Sequence, residues 1–202
     1  MEELVIGKGD ALVIVDGEND FIRSDGALYV AGVPGEAENE VIIPRIRSLG
    51  HYDAFGWRAT TEDEHPKGHI EFVMFGPQPH CVKGTPGQKY HPSLEGVYAA
   101  ADENLKKGQN KDLVSLSVDM SRQWPVHVAN LRRRGIKRVF LVGWAYTHCV
   151  GKSALSYIGQ GFETCVIRDC TRSVAPPYGD PKWMDDVLQL NGVKQVLFGD
   201  IA

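Results

Sequence analysis

Ala11-Leu12-Val13-Ile14-Val15 is an unbroken apolar run that stops at Asp16. Successive side chains of a strand point to opposite faces, so a run with no polar alternation needs apolar cover on both sides. That is the signature of a strand in a parallel sheet sandwiched between helices. Arg138-Val139-Phe140-Leu141-Val142 repeats the pattern and ends at Gly143. Further strands are expected at Tyr52 to Trp57, Thr164 to Ile167 and Val196 to Phe198.

Helical spacing of apolar residues lies between these strands. Val41, Ile42, Ile43, Ile46 and Leu49 mark one helix within Glu36 to Leu49, although Pro44 removes a helix bond there. Ser121 to Gly135 is a second, with Gly135 as its stop. Val150, Ala154, Leu155 and Ile158 form the stripe of a third, and Lys182 to Leu190 is a fourth. Strands alternating with helices imply an α/β fold with a mainly parallel sheet, whose active site would gather beyond the strands' carboxyl ends. Arg58 to Ser93 has no sustained periodicity and is rich in Pro, Gly and His, as functional loops often are.

A chain of 202 residues suits one domain spanning 1–202. The net charge is −4, and the basic triplet Arg132-Arg133-Arg134 reads as the solvated end of a helix, so nucleic acid and anionic membranes are excluded as partners. No basic segment followed by an apolar one opens the sequence, and no apolar run approaches a membrane span. Four scattered cysteines read as free thiols, and a cytoplasmic location is expected.

Three places carry chemistry. Cys149 follows a strand and a tight segment and opens a helix, where backbone N–H groups favour thiolate and can hold an oxyanion, although a lone cysteine is as often structural. Asp16 ends a buried strand, where it can take a proton from a thiol or simply form a turn. Asp63-Glu64-His65-Pro66, with His69 and then His80, offers carboxylate and imidazole ligands for zinc, iron or manganese. A three-ligand site keeps positions open for water or substrate; a merely solvated polar loop is the plainer alternative. Lys107 is unremarkable by itself.

Together these motifs resemble the isochorismatase-like cysteine hydrolases, and within them the nicotinamidase/pyrazinamidase branch. Asp16 to Phe21 is similar to the family's Asp-x-Gln-Asn-Asp-Phe signature. Asp63 to Pro66 resembles its Asp-x-His-Pro metal loop, and His80-Cys81-Val82-Lys83-Gly84-Thr85-Pro86-Gly87 its His-Cys-x-x-Gly-Thr-x-Gly block. Lys107-Gly108 falls where the family keeps a catalytic lysine, and Gly143 to Val150 resembles the nucleophile turn. The resemblance implies a three-layer α/β/α fold and an amidohydrolase converting nicotinamide, and pyrazinamide, to the acid and ammonia. It implies a triad of Asp16, Lys107 and Cys149, and an oxyanion hole from Ala145 and Cys149 beside a cis Trp144–Ala145 peptide. It further implies one divalent metal, zinc first and iron or manganese otherwise, on Asp63, His65 and His80, with His69 as an additional ligand in some relatives.

Some positions depart from the pattern. Glu18 replaces the usual Gln, Glu64 an aromatic, and Thr147-His148 a commoner Asp-containing pair. Pro77-Gln78-Pro79 stands where these amidases carry a Trp that packs on the substrate ring. Phe21 is then one aromatic wall, with Trp57, Tyr146 or Phe75 as the other. The missing Trp favours a rival amidase acting on carbamoyl or ureido compounds, whereas the metal residues favour the nicotinamidase reading. A vinyl-ether hydrolase needs neither Cys149 nor the histidines, and a non-catalytic module on the same fold has no use for the triad. The expected partner is a small-molecule amide, and a homo-oligomer is compatible with all of this.

Overall fold

The computed structural model describes residues 4–74 and 78–201. Six strands form one all-parallel sheet: β1 (Asp10–Val15), β2 (Trp57–Asp63), β3 (Glu103–Lys107), β4 (Arg138–Trp144), β5 (Glu163–Arg172) and β6 (Lys194–Val196), in the order β3-β2-β1-β4-β5-β6. Among the described residues seven α-helices accompany them: α1 (Asn19–Ile22), α2 (Asn39–Gly50), α3 (Glu71–Met74), α4 (Glu95–Ala99), α5 (Trp124–Arg133), α6 (Gly151–Gly159) and α7 (Pro181–Leu190).

The central strands show why both faces are covered. Ala11, Val13 and Val15 of β1 pack with Leu131 of α5, Ala154 of α6 and Leu188 of α7. Leu12 and Ile14, pointing the other way, pack with Ile42 and Ile46 of α2 and Val97 of α4. Each such side chain fully removed from water contributes about 1.5–3 kcal/mol, which the opposing chain entropy largely offsets. Helices on both faces of a parallel sheet are the expected three-layer α/β/α architecture.

Some expectations require correction. The second strand is Trp57–Asp63, not Tyr52 to Trp57. Its Thr60, Thr61, Glu62 and Asp63 are polar yet buried, because β2 lies between β1 and β3 and its polar groups find partners there. Strand β3, Glu-Asn-Leu-Lys-Lys, is an edge strand without an apolar run and gave no periodic signal. Pro44 lies inside α2, and the helix continues through it. The last strand is Lys194–Val196, earlier than expected. No helix among the described residues is long and apolar enough to cross a membrane.

The chain starts at β1, runs outward to β2 and β3, then returns to β4 on the other side of β1. At such a reversal the connections leave in opposite directions and open a crevice beyond the strand ends. Asp16 follows β1, Asp63 and Lys107 end β2 and β3, and Cys149 follows β4, so all four reach that crevice.

Candidate active site and metal centre

Cys149 sits in a π-helical turn, Tyr146–Val150, between β4 and α6, rather than as the first residue of an α-helix. Such turns widen the backbone spiral locally and recur at functional sites. The Trp144–Ala145 peptide before it is cis. Asp16 has a φ of +50° and Cys81 of +44°, left-handed values that a side chain tolerates only when its surroundings hold it there. For Asp16 the holder is Thr61, whose hydroxyl accepts the Asp16 N–H at 3.2 Å and donates to Asp16 Oδ1 at 2.6 Å. Gly17 must lack a side chain, since a Cβ there would stand 2.6 Å from the Tyr98 hydroxyl.

The residues meet as the triad requires. Lys107 Nζ is 2.9 Å from Asp16 Oδ2, 2.5 Å from Asp63 Oδ1 and 3.6 Å from Cys149 Sγ. Asp16, Asp63 and Cys149 bring ligand atoms within 4.8 Å of one another. Burial alone would neutralise Lys107, but the Asp16 and Asp63 carboxylates outweigh it and hold the ammonium well above its usual range. Burial pushes the Asp16 carboxyl up, with Lys107 opposing and Asp63 assisting. Burial also pushes the Cys149 thiol well up against the pull of Lys107, with Asp16 and Asp63 adding to the rise. The resting thiol is therefore neutral, and the carboxylate beside it, more basic than an exposed one, is the better placed to take its proton during attack.

Beside this cluster, one ligand atom each from Asp63, His65, Glu71 and His80 lie within 4.8 Å of one another, and all four residues are buried. His65 Nδ1 faces the Gly108 carbonyl at 3.2 Å and His80 Nδ1 the Gln78 carbonyl at 3.3 Å, which leaves each Nε2 as the lone-pair nitrogen. His65 Nε2 is buried without a hydrogen bond, 3.5 Å from Asp63 Oδ2 and 3.7 Å from Glu71 Oε2. Atoms spaced so are arranged around a common centre rather than bonded to each other. Two imidazoles and two carboxylates suit a divalent cation such as zinc, iron or manganese, so the donor set fits.

Glu71 was not anticipated from sequence. It opens α3 directly after the metal loop, and its Oε1 is fixed by the Ser115 N–H at 2.6 Å and hydroxyl at 3.0 Å. His69 lies outside the four-donor group; its ring stacks 4.1 Å from that of His65, and its Nδ1 accepts the Glu71 N–H. The unusual Glu18 is fully buried, and its Oε1 accepts the Asp63 N–H at 2.5 Å, steadying one donor of the metal group.

A cavity of about 350 Å³ opens above these groups, lined at its floor by Asp63, Glu71, His80, Ala145 and Cys149. Phe21 lines it too, its ring 5.8 Å from that of His80, as expected for an aromatic wall. Trp57 and Tyr146 do not line it. Trp57 begins β2, at the opposite end of the sheet from Asp63, where it packs in the core under the Arg134 guanidinium. Tyr146 is fully buried between Arg168, 3.8 Å above its ring, and Asp185 and Gln195, which its hydroxyl contacts. Phe75 and Pro77 lie outside the described residues. The cavity is completed by His148, marked in the sequence only as a departure from the family's pattern, and by Leu116 and the segments Leu28–Ala31 and Val174–Tyr178, which carried no sequence signal.

Comparison with known proteins gives the family. The isochorismatase domain family model matches residues 127–191. A nicotinamidase of Acinetobacter baylyi is 32% identical over 185 residues, covering 81% of either chain. PnC1 of L. infantum, solved in complex with nicotinate, superposes with a TM-score of 0.84 at 26% identity over 98% of either chain. The Pyrococcus horikoshii pyrazinamidase, solved with zinc, has a TM-score of 0.74 at 29% identity over 94% of this chain and 99% of its own. The chain therefore belongs to the isochorismatase-like hydrolases, in their nicotinamidase/pyrazinamidase branch.

Proposed function

We propose that this amidohydrolase converts nicotinamide to nicotinate and ammonia, using Cys149 as nucleophile. The observation that carries the proposal is the meeting of the Cys149 thiol, the Asp16 carboxylate and the Lys107 ammonium beside four metal donors on one cavity floor. Asp16 takes the thiol proton as the sulfur attacks the amide carbon. The carbonyl oxygen gains the negative charge and rests against the Ala145 and Cys149 amides, where one donor is worth about 3–4 kcal/mol. Lys107 offsets the charge passing between Cys149 and Asp16. Protonated Asp16 gives its proton to the departing nitrogen, ammonia leaves, and a thioester to Cys149 remains. Asp16 then accepts a proton from water as its oxygen attacks the thioester; the C–S bond breaks, the acid is released and Cys149 regains a proton.

Asp63, His65, Glu71 and His80 would hold a divalent metal, for which we favour zinc. A bound cation there supplies a Lewis-acid anchor for the ring nitrogen. Phe21 forms one face of the ring site, and His69, packed against His65 with its own Nε2 buried and without a hydrogen bond, is available as an additional ligand. Four free cysteines fit a reducing, cytoplasmic setting.

The deciding assay is ammonia release by metal-loaded protein from nicotinamide, pyrazinamide and a ureido compound, with Cys149→Ala alongside. We expect turnover of the pyridine and pyrazine amides and none by the variant. Release from the ureido compound alone would overturn the substrate, and full activity of Cys149→Ala the nucleophile.

A further inference from the structure

The cavity exceeds what its floor needs. Its volume is about 350 Å³, whereas an amide of nicotinamide's size fills roughly 120–150 Å³ at interior packing density. The surplus lies toward the mouth and differs chemically from the floor. Leu28, Val30, Ala31, Val174, Ala175 and Pro177 line it together with Tyr29 and Tyr178, and all of these but Val30 are partly or fully exposed. Two chain segments thus form largely apolar walls around the mouth, above a polar, reactive base.

These walls are tethered independently of any ligand. Arg172, 2% exposed, donates to the Ala31 carbonyl and pairs with Glu38. Gly32 permits that approach, since its φ is +76° and a Cβ there would stand 2.6 Å from the guanidinium. Glu36 accepts from Arg168 at 2.7 Å and from the Ser173 N–H and hydroxyl at 2.9 and 2.5 Å, tying the first wall to the root of the second. The Val174 N–H donates to Thr147 Oγ1 at 3.1 Å, beside the nucleophile turn. Walls pinned at both roots cannot close down on a small ring, so a bare pyridine would leave apolar surface facing water. An apolar substituent would cover that surface and gain affinity in proportion to the area removed from water.

We propose that the site selects aromatic carboxamides bearing an apolar group on the ring edge opposite the floor. This rests on the nicotinamidase reading for the orientation of the ring. With the amide carbon over Cys149 and the ring nitrogen toward the metal donors, the carbon between them faces the floor. The 5-position, directly across the ring, faces the mouth. Ligands of this class are 5-alkylnicotinamides.

The test compares kcat/KM for nicotinamide and 5-propylnicotinamide with metal-loaded enzyme, and the binding of the two corresponding acids by calorimetry. The propyl amide is expected to be the better substrate by about tenfold, chiefly through KM, with the same order in acid affinity. Normal hydrolysis of nicotinamide with a lower kcat/KM for the propyl amide overturns the inference and leaves the nicotinamidase reading intact. Hydrolysis of neither overturns that reading and the inference with it. Ala175→Phe, on the exposed part of the wall, should reduce the ratio of propyl to parent activity by tenfold or so; an unchanged ratio would show that the substituent does not lie between these walls.

Discussion

Replacing Lys107 by Met removes a buried ammonium from a group of acids while roughly keeping its volume. At an effective dielectric of about 20, a charge pair 2.5–2.9 Å apart is worth about 6 kcal/mol, and Lys107 makes two such contacts, with Asp63 and Asp16. Desolvation of the ammonium and both carboxylates consumes most of that attraction, and removing one partner of a buried network costs about 3–5 kcal/mol on balance. Without the lysine, Asp16 and Asp63 face each other uncompensated. The Asp16 carboxyl, already raised by burial, must rise further, since its main opposing influence is gone. A larger share of it then carries a proton at any given pH and cannot accept one from Cys149. General-base catalysis of this kind contributes about 10²–10⁴-fold, so kcat/KM should fall by at least the lower figure. Because the active form of Asp16 is the deprotonated one, the acid limb of the pH profile should move to higher pH. Urea unfolding and kcat/KM across pH 5–9, with metal content checked, provide the assay. A Lys107→Met protein within 1 kcal/mol of the parent and with an unmoved acid limb would refute the electrostatic reasoning, even if its rate were low.

Glu71→Gln should weaken metal binding about 10–100-fold in a chelator competition with little change in unfolding free energy, and unaltered affinity would remove Glu71 from the donor set. Burial pushes the Cys165 thiol up to about 11 and the Cys170 thiol up to about 12. Both are also fully buried, whereas Cys149 lines the open cavity with Asp16 beside it to take its proton, so both should resist alkylation in the folded protein while Cys149 reacts; mass spectrometry showing equal labelling of the three would contradict this. Gly32→Ala places a Cβ against the Arg172 guanidinium at a positive φ. It should destabilise the protein by about 1–3 kcal/mol in urea unfolding, and a neutral result would mean the tether has slack.

The legible parts of the fold were those whose burial is written in apolar residues. Strands β1 and β4 are central and continuous in Val, Ile and Leu, and both stand where their runs do. Strand β2 hid because Thr60, Thr61, Glu62 and Asp63 are buried through hydrogen bonds and ion pairs that only the folded sheet supplies. Lys107 has no local mark at all; its burial comes from Asp16 and Asp63, 91 and 44 residues earlier. It was found through resemblance. The start of β2 also decides where Trp57 stands. With β2 correctly bounded, Trp57 stands six residues before Asp63 in one strand, about 20 Å away at strand rise, too far to touch a ligand on the floor. Tyr146, three residues before the nucleophile, was misjudged because sequence distance says nothing of the side on which a π turn places a ring.

The reacting groups belong to the tips of four adjoining strands, β1 to β4, with β4 joining across β1 only after more than a hundred residues of chain have passed. No fragment that stops short of β4 owns a nucleophile, and none lacking β3 owns the cation that steadies it. Chemistry in this molecule is consequently an all-or-nothing property of the assembled sheet, and a nascent chain stays harmless to its own substrate until the last of those four strands has docked.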